Sequence, residues 1–443
     1  MVQAGSYFRD HLAVKGAYVW AYSPDLSVRR GEGGPAEASV GWVQPPGTPL
    51  VGAAFLRLYE STGDEAWLKA ARDTAKSLLD SQLLSGGWFI YLETDPERME
   101  QWCYRASGVG PEECKDIDGN KFKNRTVLDD NNTSSVLNFL IWLDKIVEGN
   151  DSAIRDAIDY GLKSLLDVQY PNGAWPVQYD RAQEKDKVQP ELKASLPADW
   201  PRTWVKPSNP PFFILNDDVV RDVIAVLLNA ERQFGKPEYL EAAKRGGDFL
   251  LKAQLPAPHR GWAQIYDVGM QPIWGRKFEP PAVTARESAG AIEALLQLYA
   301  RTGEKRYLDG AKEGAAWLES VRLPDGRWAR FYELGTNRPI YVNSKFEVTY
   351  TANDLPGKYS FVGDYGIAPL LDRVARADAG QAFIKQSSWP TPIDELSEDE
   401  LEKRVKALVA TQDPEGRWVA DGWILSQTFA DAIFALARYV DRK

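Results

Sequence analysis

Histidine is almost missing from this chain. His11 and His259 are the two in 443 residues. That argues against a Ser-His-Asp triad and against a multi-histidine metal centre. Cysteine is as scarce. Cys103 and Cys114 lie in CYRASGVGPEEC, without the four-ligand spacing of a zinc site. A local disulfide between them would fit an oxidising compartment, and two free thiols are the other reading. No apolar run reaches the ~18 residues of a membrane span. No phosphate-cradling glycine loop ending in Lys-Ser/Thr occurs. Basic charge is in deficit too: the net charge is −10 and the pI about 5.1, which speaks against nucleic acid as a partner. The N-terminus has no basic region followed by an apolar one, so the protein is either intracellular or its signal peptide lies outside this sequence. Chemistry must therefore rest on carboxylates, Arg, Lys or Tyr.

Aromatics, by contrast, are plentiful, with 16 Trp and 19 Tyr. Five Trp belong to one recurring phrase: a Gln or Arg, a Gly, then the Trp, often with Tyr just after. It reads QLLSGGWFIY at Trp88, QYPNGAWPVQYD at Trp175, QLPAPHRGWAQIYD at Trp262, RLPDGRWARFY at Trp328 and QDPEGRWVADGW at Trp418. A phrase that recurs along a chain is architecture first. A second phrase alternates with it: TGDEAWLKAA, FGKPEYLEAA and TGEKRYLDGA. In each, a Gly (Gly63, Gly235, Gly303) precedes an aromatic by four positions. Glycine suits the left-handed residue that ends a helix. The flanks carry helical period, as in SSVLNFLIWLDKIV, with Val136, Leu140 and Leu143 on one face. Ser397 and Glu400 have capping-box spacing before the last helical pair.

The repeating unit is thus helix, short turn, helix, Gln, then a Gly-Trp loop. Stacked units of this size predict an all-α fold of helical hairpins, an (α/α) toroid or partial toroid, read as one domain over 1–443. The short turns fall at one end and the Gly-Trp loops, with short strands, at the other. Those loops are long, roughly 86–130, 170–215, 255–285 and 323–365, and rich in Trp, Tyr, Asp and Arg; long loops in a repeat fold mark a binding cleft. The repeated Trp are expected to be mainly structural, with Trp175 and Tyr179 as the members drawn into the cleft and Trp418 purely structural.

Polar clusters stand where long loops meet the next helix: LDDNNTSS (128–135), LNDDVV (215–220), KFEPPAVTARES (277–288) and DGRWARFYELGTNRPIY (325–341). Helix capping is the plain reading of Asp, Asn and Ser before an apolar helix, and for LNDDVV taken alone it is the favoured one. Two double-acid clusters at equivalent junctions also suit Ca²⁺, which takes 6–8 oxygen ligands. Paired carboxylates would equally serve a glycosidase.

YPNGAWPVQYD, ILNDDVV, FEPPAV…ES and WARFYELGTNRPIY resemble, in that order, the motifs of the family 10 polysaccharide lyases. The resemblance covers roughly residues 127–365, and WARFYELGTNRP is its most specific part. It implies a pectate lyase on an (α/α) toroid, cleaving polygalacturonate by Ca²⁺-dependent β-elimination. On this reading Asp129, Asp130 and Asp217 are the metal acids. Arg330 is the catalytic Arg, with Arg338 second. Arg276, Asn216, Trp175 and Tyr179 contact substrate. Asp129-Asp130-Asn131-Asn132 is more acidic than the usual motif. Arg330 could act as base only if its pKa, ordinarily above ~12, were strongly depressed; otherwise it is an electrostatic stabiliser. The resemblance implies an acidic polysaccharide as partner, a secreted or periplasmic location and a monomer. A glycoside hydrolase on the same scaffold, or a non-catalytic carbohydrate-binding protein, are the alternatives, since fold does not choose chemistry.

Overall fold

The computed structural model describes residues 1–119, 121–180, 183–357, 359–383 and 396–442. It divides into two compact units. One comprises Met1–Ser164, Gln178–Arg181 and Gln386–Lys443; the other, Leu165–Val177 and Ala182–Lys385.

The first unit contains the hairpin Thr48–Thr62 and Glu65–Asp80, then Asn132–Ile146, and helices Glu398–Thr411 and Ser426–Val440. Ser152–Val168 pairs in sequence with Asn132–Ile146 and runs across the unit boundary. The second unit contains the hairpins Val219–Phe234 with Pro237–Ala253 and Ala285–Thr302 with Lys305–Ser320, followed by Ile367–Asp378. Gly63, Gly235 and Gly303 end the first helices of their pairs at φ of 67°, 66° and 70°, the left-handed geometry that glycine adopts without cost. Each donates its N–H to the carbonyl four residues back. Ser397 and Glu400 form the expected reciprocal capping box.

The Gln–Gly–Trp phrase is a fastening for the second helix of each pair. A helix leaves its last carbonyls without partners. The indole N–H groups of Trp88, Trp175, Trp262, Trp328 and Trp418 donate to the carbonyls of Leu78, Leu165, Leu250, Leu318 and Leu408, at 2.7–2.9 Å. All five rings are buried. The Gln side chain closes the loop on itself and reaches the neighbouring hairpin. Gln82 Nε2 donates to Gly86 and Ala157, Gln169 to Gly173 and Ala242, Gln254 to Arg260 and Gly310. Small residues make room for the rings: a Cβ on Gly246 would lie 2.6 Å from Trp175, and one on Gly314 2.6 Å from Trp262.

Short strands stand in the long loops, as expected. The strand before a hairpin pairs with the strand after the next Gly-Trp phrase: Thr126–Val127 with Gln178–Tyr179, Phe213–Ile214 with Ile265–Tyr266, and Val283–Thr284 with Phe331–Tyr332. The last pair belongs to a four-stranded sheet that continues through Pro339–Val342 to Val348–Thr349. Cys103 and Cys114 are joined in a disulfide within the first of these loops. Among the described residues no helix is long and apolar enough to cross a membrane.

Candidate active site

Both double-acid clusters fold as a strand, a tight turn and a helix. Asp130 and Asn131 take φ of 49° and 57°; Asp217 and Asp218 take 51° and 59°. Two consecutive left-handed residues other than glycine are a strained arrangement that Asp and Asn tolerate best. The strain overturns the capping expectation for LNDDVV. Asp218 stands at the N-cap of Val219–Phe234, yet its side chain makes no cap hydrogen bond. Asn131 likewise leaves Asn132–Ile146 uncapped.

Asp218 is instead held by two guanidiniums. Arg286 approaches both its oxygens, at 2.8 and 2.5 Å, and Arg221 Nη1 lies 2.8 Å from Oδ2. Burial opposes the charge of Asp218, but these cations keep its carboxyl below the ordinary range. Around this core the second unit gathers further pairs. Arg221 meets Asp222 at 2.8 Å, Arg276 Nε meets Glu279 at 2.7 Å, and Arg330 Nη2 meets Glu287 at 2.6 Å. Arg330 Nη2 also donates to Asn216 Oδ1, 3.1 Å away, which accepts a second bond from Gln264 Nε2 at 2.7 Å. The Arg330 guanidinium lies 4.9 Å from the centre of the Tyr359 ring, and the Tyr359 hydroxyl donates to Glu279.

Asp217 is the exception. It accepts from the Asn216 amide but makes no ion pair among the described residues. Burial raises its pKa; the charge of Arg276 opposes this and that of Glu287 adds to it. Its carboxyl is thus both unpaired and more basic than an exposed aspartate. Glu287 Oε2, Arg330 Nε and Gln264 Oε1 are buried without a hydrogen-bond partner.

Two expectations about the aromatics fail here. Trp175 is completely buried, with its indole N–H spent on Leu165, so it has no face for a sugar. Tyr179 is buried in its strand, its hydroxyl 2.7 Å from Ser164 Oγ. Trp418 is structural as expected. Arg276 and Asn216 join Arg330 in the cluster. Arg338 does not share those contacts: it is exposed and stacks on Tyr350, 3.7 Å from the ring centre. Of the two roles open to Arg330, its surroundings favour the electrostatic one: burial pulls its pKa down, but Glu287 and Tyr359 together leave it raised.

Asp129 and Asp130 lie in the first unit, and Asp217 in the second. Asp130 Oδ2 accepts from Gln44 Nε2 at 3.0 Å, and the Asp129 carbonyl from Asn132 Nδ2 at 2.8 Å. Asn132 Oδ1 and Ser134 Oγ are buried and unbonded. Side-chain oxygens of this kind are the donors a hard cation takes. Asp217 stands among guanidiniums, and its surroundings fit a cation poorly. No group of three or more His, Cys, Asp or Glu side chains gathers as a metal site among the described residues. The residues that sequence reasoning left unassigned are Asp218, Asp222, Arg221, Glu279, Arg286, Glu287 and Tyr359. VTARES carried Arg286 and Glu287 in plain view; their long-range pairing had no sequence signal.

No protein-family model matches the chain, and no curated protein does. Solved structures do. D-Mannose isomerase aligns with a TM-score of 0.52 at 14% identity, covering 100% of this chain and 96% of that one. A family 10 polysaccharide lyase from Cellvibrio cellulosa gives 0.49 at 19%, covering 75% and 97%. The GH76A α-1,6-mannanase of Salegentibacter sp. gives 0.45 at 15%, covering 98% and 96%. The likeness to the isomerase shows the fold alone, an (α/α) toroid built from helical hairpins.

Proposed function

We propose that this protein is a polysaccharide lyase that cleaves an acidic polysaccharide of the polygalacturonate type by β-elimination. One observation carries the reading. Four carboxylates of the cluster are each matched to a guanidinium, and Asp217 alone is left without one. Elimination asks for that combination of groups. The proton on C5 of a uronate leaves to a base, the C4–O bond breaks, and a C4–C5 double bond forms. Asp217, made more basic by burial, is our assignment for the base. Arg330, fixed by Asn216 and Glu287, stabilises the negative charge that develops on the C6 carboxylate. Arg276, more exposed, holds the same carboxylate or that of an adjoining sugar. The motif resemblance, WARFYELGTNRP above all, points the same way.

Calcium belongs to this proposal. Asp129 and Asp130 would hold it, with Asn132 and Ser134 as neutral oxygens. Bound Ca²⁺ would neutralise uronate charge. The test is incubation with polygalacturonate, with and without Ca²⁺ and EDTA. Ultraviolet-absorbing unsaturated ends should appear and should need the metal. Their absence on every uronate polymer tried would sink the lyase.

A glycoside hydrolase is the second reading. The raised pKa of Asp217 is also what a general acid needs, with Glu287 as the nearby second carboxylate. Saturated reducing ends without ultraviolet absorbance would select it. Secretion and a monomeric state go with either reading as proposals.

A further inference from the structure

The aromatics expected in the cleft are buried, but the first unit keeps another set partly open. Trp20, Trp42, Phe89 and Tyr91 are all half-buried, unlike the five fastening Trp. Trp42 and Tyr91 sit opposite each other in the pairing of Val40–Trp42 with Tyr91–Glu93, their rings 5.6 Å apart. Trp20 meets Trp42 edge-on at 6.4 Å, and Phe89 meets Tyr91 at 5.1 Å. The rings are joined in one run of edge-on and tilted contacts, a partly open aromatic surface.

That surface is held still. The Trp20 indole donates to the Gln44 carbonyl at 2.8 Å, and the Trp42 indole to Gln44 Oε1 at 3.3 Å. The other end of the same amide donates to Asp130 Oδ2 at 3.0 Å. One glutamine therefore ties both rings to the left-handed acidic turn. Gly31 lies against the Trp42 ring: a Cβ there would come within 2.2 Å of Trp42 Cε3. Its φ is ordinary, so the glycine supplies room for the ring and not a special backbone angle.

We propose that Trp20, Trp42 and Tyr91 form a saccharide subsite, in which the apolar face of one ring of the substrate chain stacks on one indole and meets the other edge-on. Buried Gln44 anchors the rings, and the exposed turn at Asp130 lies at their edge. Flat apolar faces with a polar rim are the complement of a pyranose. The rigid mounting removes most of the ordering cost of binding. The subsite rests on the carbohydrate reading above but not on elimination chemistry.

Native gels containing polygalacturonate, pectin or mannan test it without turnover. At least one polymer should retard the wild-type protein. Trp42→Ala and Trp20→Ala should each weaken apparent affinity about tenfold, the scale of one good stacking contact. Trp42→Tyr should retain most of it. Gly31→Ala, which keeps both indoles but displaces one, should weaken binding and lower the melting temperature, as a Cβ pressed on the ring requires. If the Trp→Ala variants fail to fold, Gly31→Ala against Trp42→Tyr carries the test alone. Wild-type affinity in Gly31→Ala and Trp42→Ala overturns the subsite, and so does a wild-type protein that no polymer retards. Unsaturated product with no loss of affinity would sink the subsite and spare the lyase. Loss of affinity with no unsaturated product would do the reverse.

Discussion

Removing the Arg330 side chain should damage stability and turnover by separable amounts. Arg330→Ala deletes both the 2.6 Å bond to Glu287 and the 3.1 Å bond to Asn216. Glu287 is 1% exposed and its second oxygen is already unbonded, so the variant strands a buried carboxylate. Breaking a buried pair in this way costs about 3–5 kcal/mol. At about 2–4 °C per kcal/mol for a unit of this size, the melting temperature should fall by roughly 6–20 °C. Turnover should fall by a further factor of about 10²–10³, the usual worth of one preorganised charge donor. Arg330→Lys should fail as well, since an ammonium lacks the planar guanidinium that lies over the Tyr359 ring. The double variant Arg330→Met, Glu287→Gln isolates the chemistry. It removes both charges, so the melt should return most of the way while turnover stays lost. Thermal melts and ultraviolet product assays on the three variants decide the matter. If Arg330→Ala melts like wild type and keeps turnover within a few fold, the role assigned to Arg330 is wrong.

Asp222 gives a pH prediction. Burial raises its carboxyl to about 6 in the folded state, against about 4 unfolded, so the folded chain binds the extra proton between those values. Its contribution to stability should therefore rise as pH falls from 7 towards 5. Asp218, held below the ordinary range by its arginines after burial is overcome, acts oppositely, and its contribution is lost below about pH 4. Asp222→Asn should flatten the upper limb of the melting profile and leave the acid limb; an unchanged profile would refute the assignment. Gly314→Ala should cost about 1–3 kcal/mol by pressing on buried Trp262, read as a lower denaturation midpoint with an unaltered Michaelis constant. Asp129→Ala should lower activity and regain part of it at high Ca²⁺, as a weakened metal site does. If added calcium rescues nothing, Asp129 is not a ligand.

The helical frame is legible because it rests on local rules. A glycine that ends a helix and a Trp that serves the carbonyl ten or twelve residues back leave marks at fixed spacings. The site is legible only in outline. Arg330, Arg276, Asn216 and Asp217 stand out in their motifs, and Glu279 stands three residues after Arg276, but Glu287, which pairs with Arg330, and Gln264, which bonds Asn216, come from other segments and share no spacing with them. Capping fails for LNDDVV because the left-handed backbone at Asp217 and Asp218 turns the carboxylates away from the helix end, and residue type does not reveal that. Trp175 and Tyr179 fail for a related reason. A Trp that fastens a helix and a Trp that stacks on a sugar have the same letter, and Trp20 and Trp42 stand outside the repeated phrase.

The glutamine joint also bears on how such a chain can change over time. Gln82, Gln169 and Gln254 reach the next hairpin at Ala157, Ala242 and Gly310, and in every case they grip a main-chain carbonyl. A carbonyl is supplied by any amino acid. The seam between neighbours therefore asks nothing of the side chain on its far side. Hairpins can drift, duplicate or be exchanged between relatives, provided each brings its own glutamine and loop. A lineage built on this joint can lose nearly all recognisable wording between its repeats and still assemble.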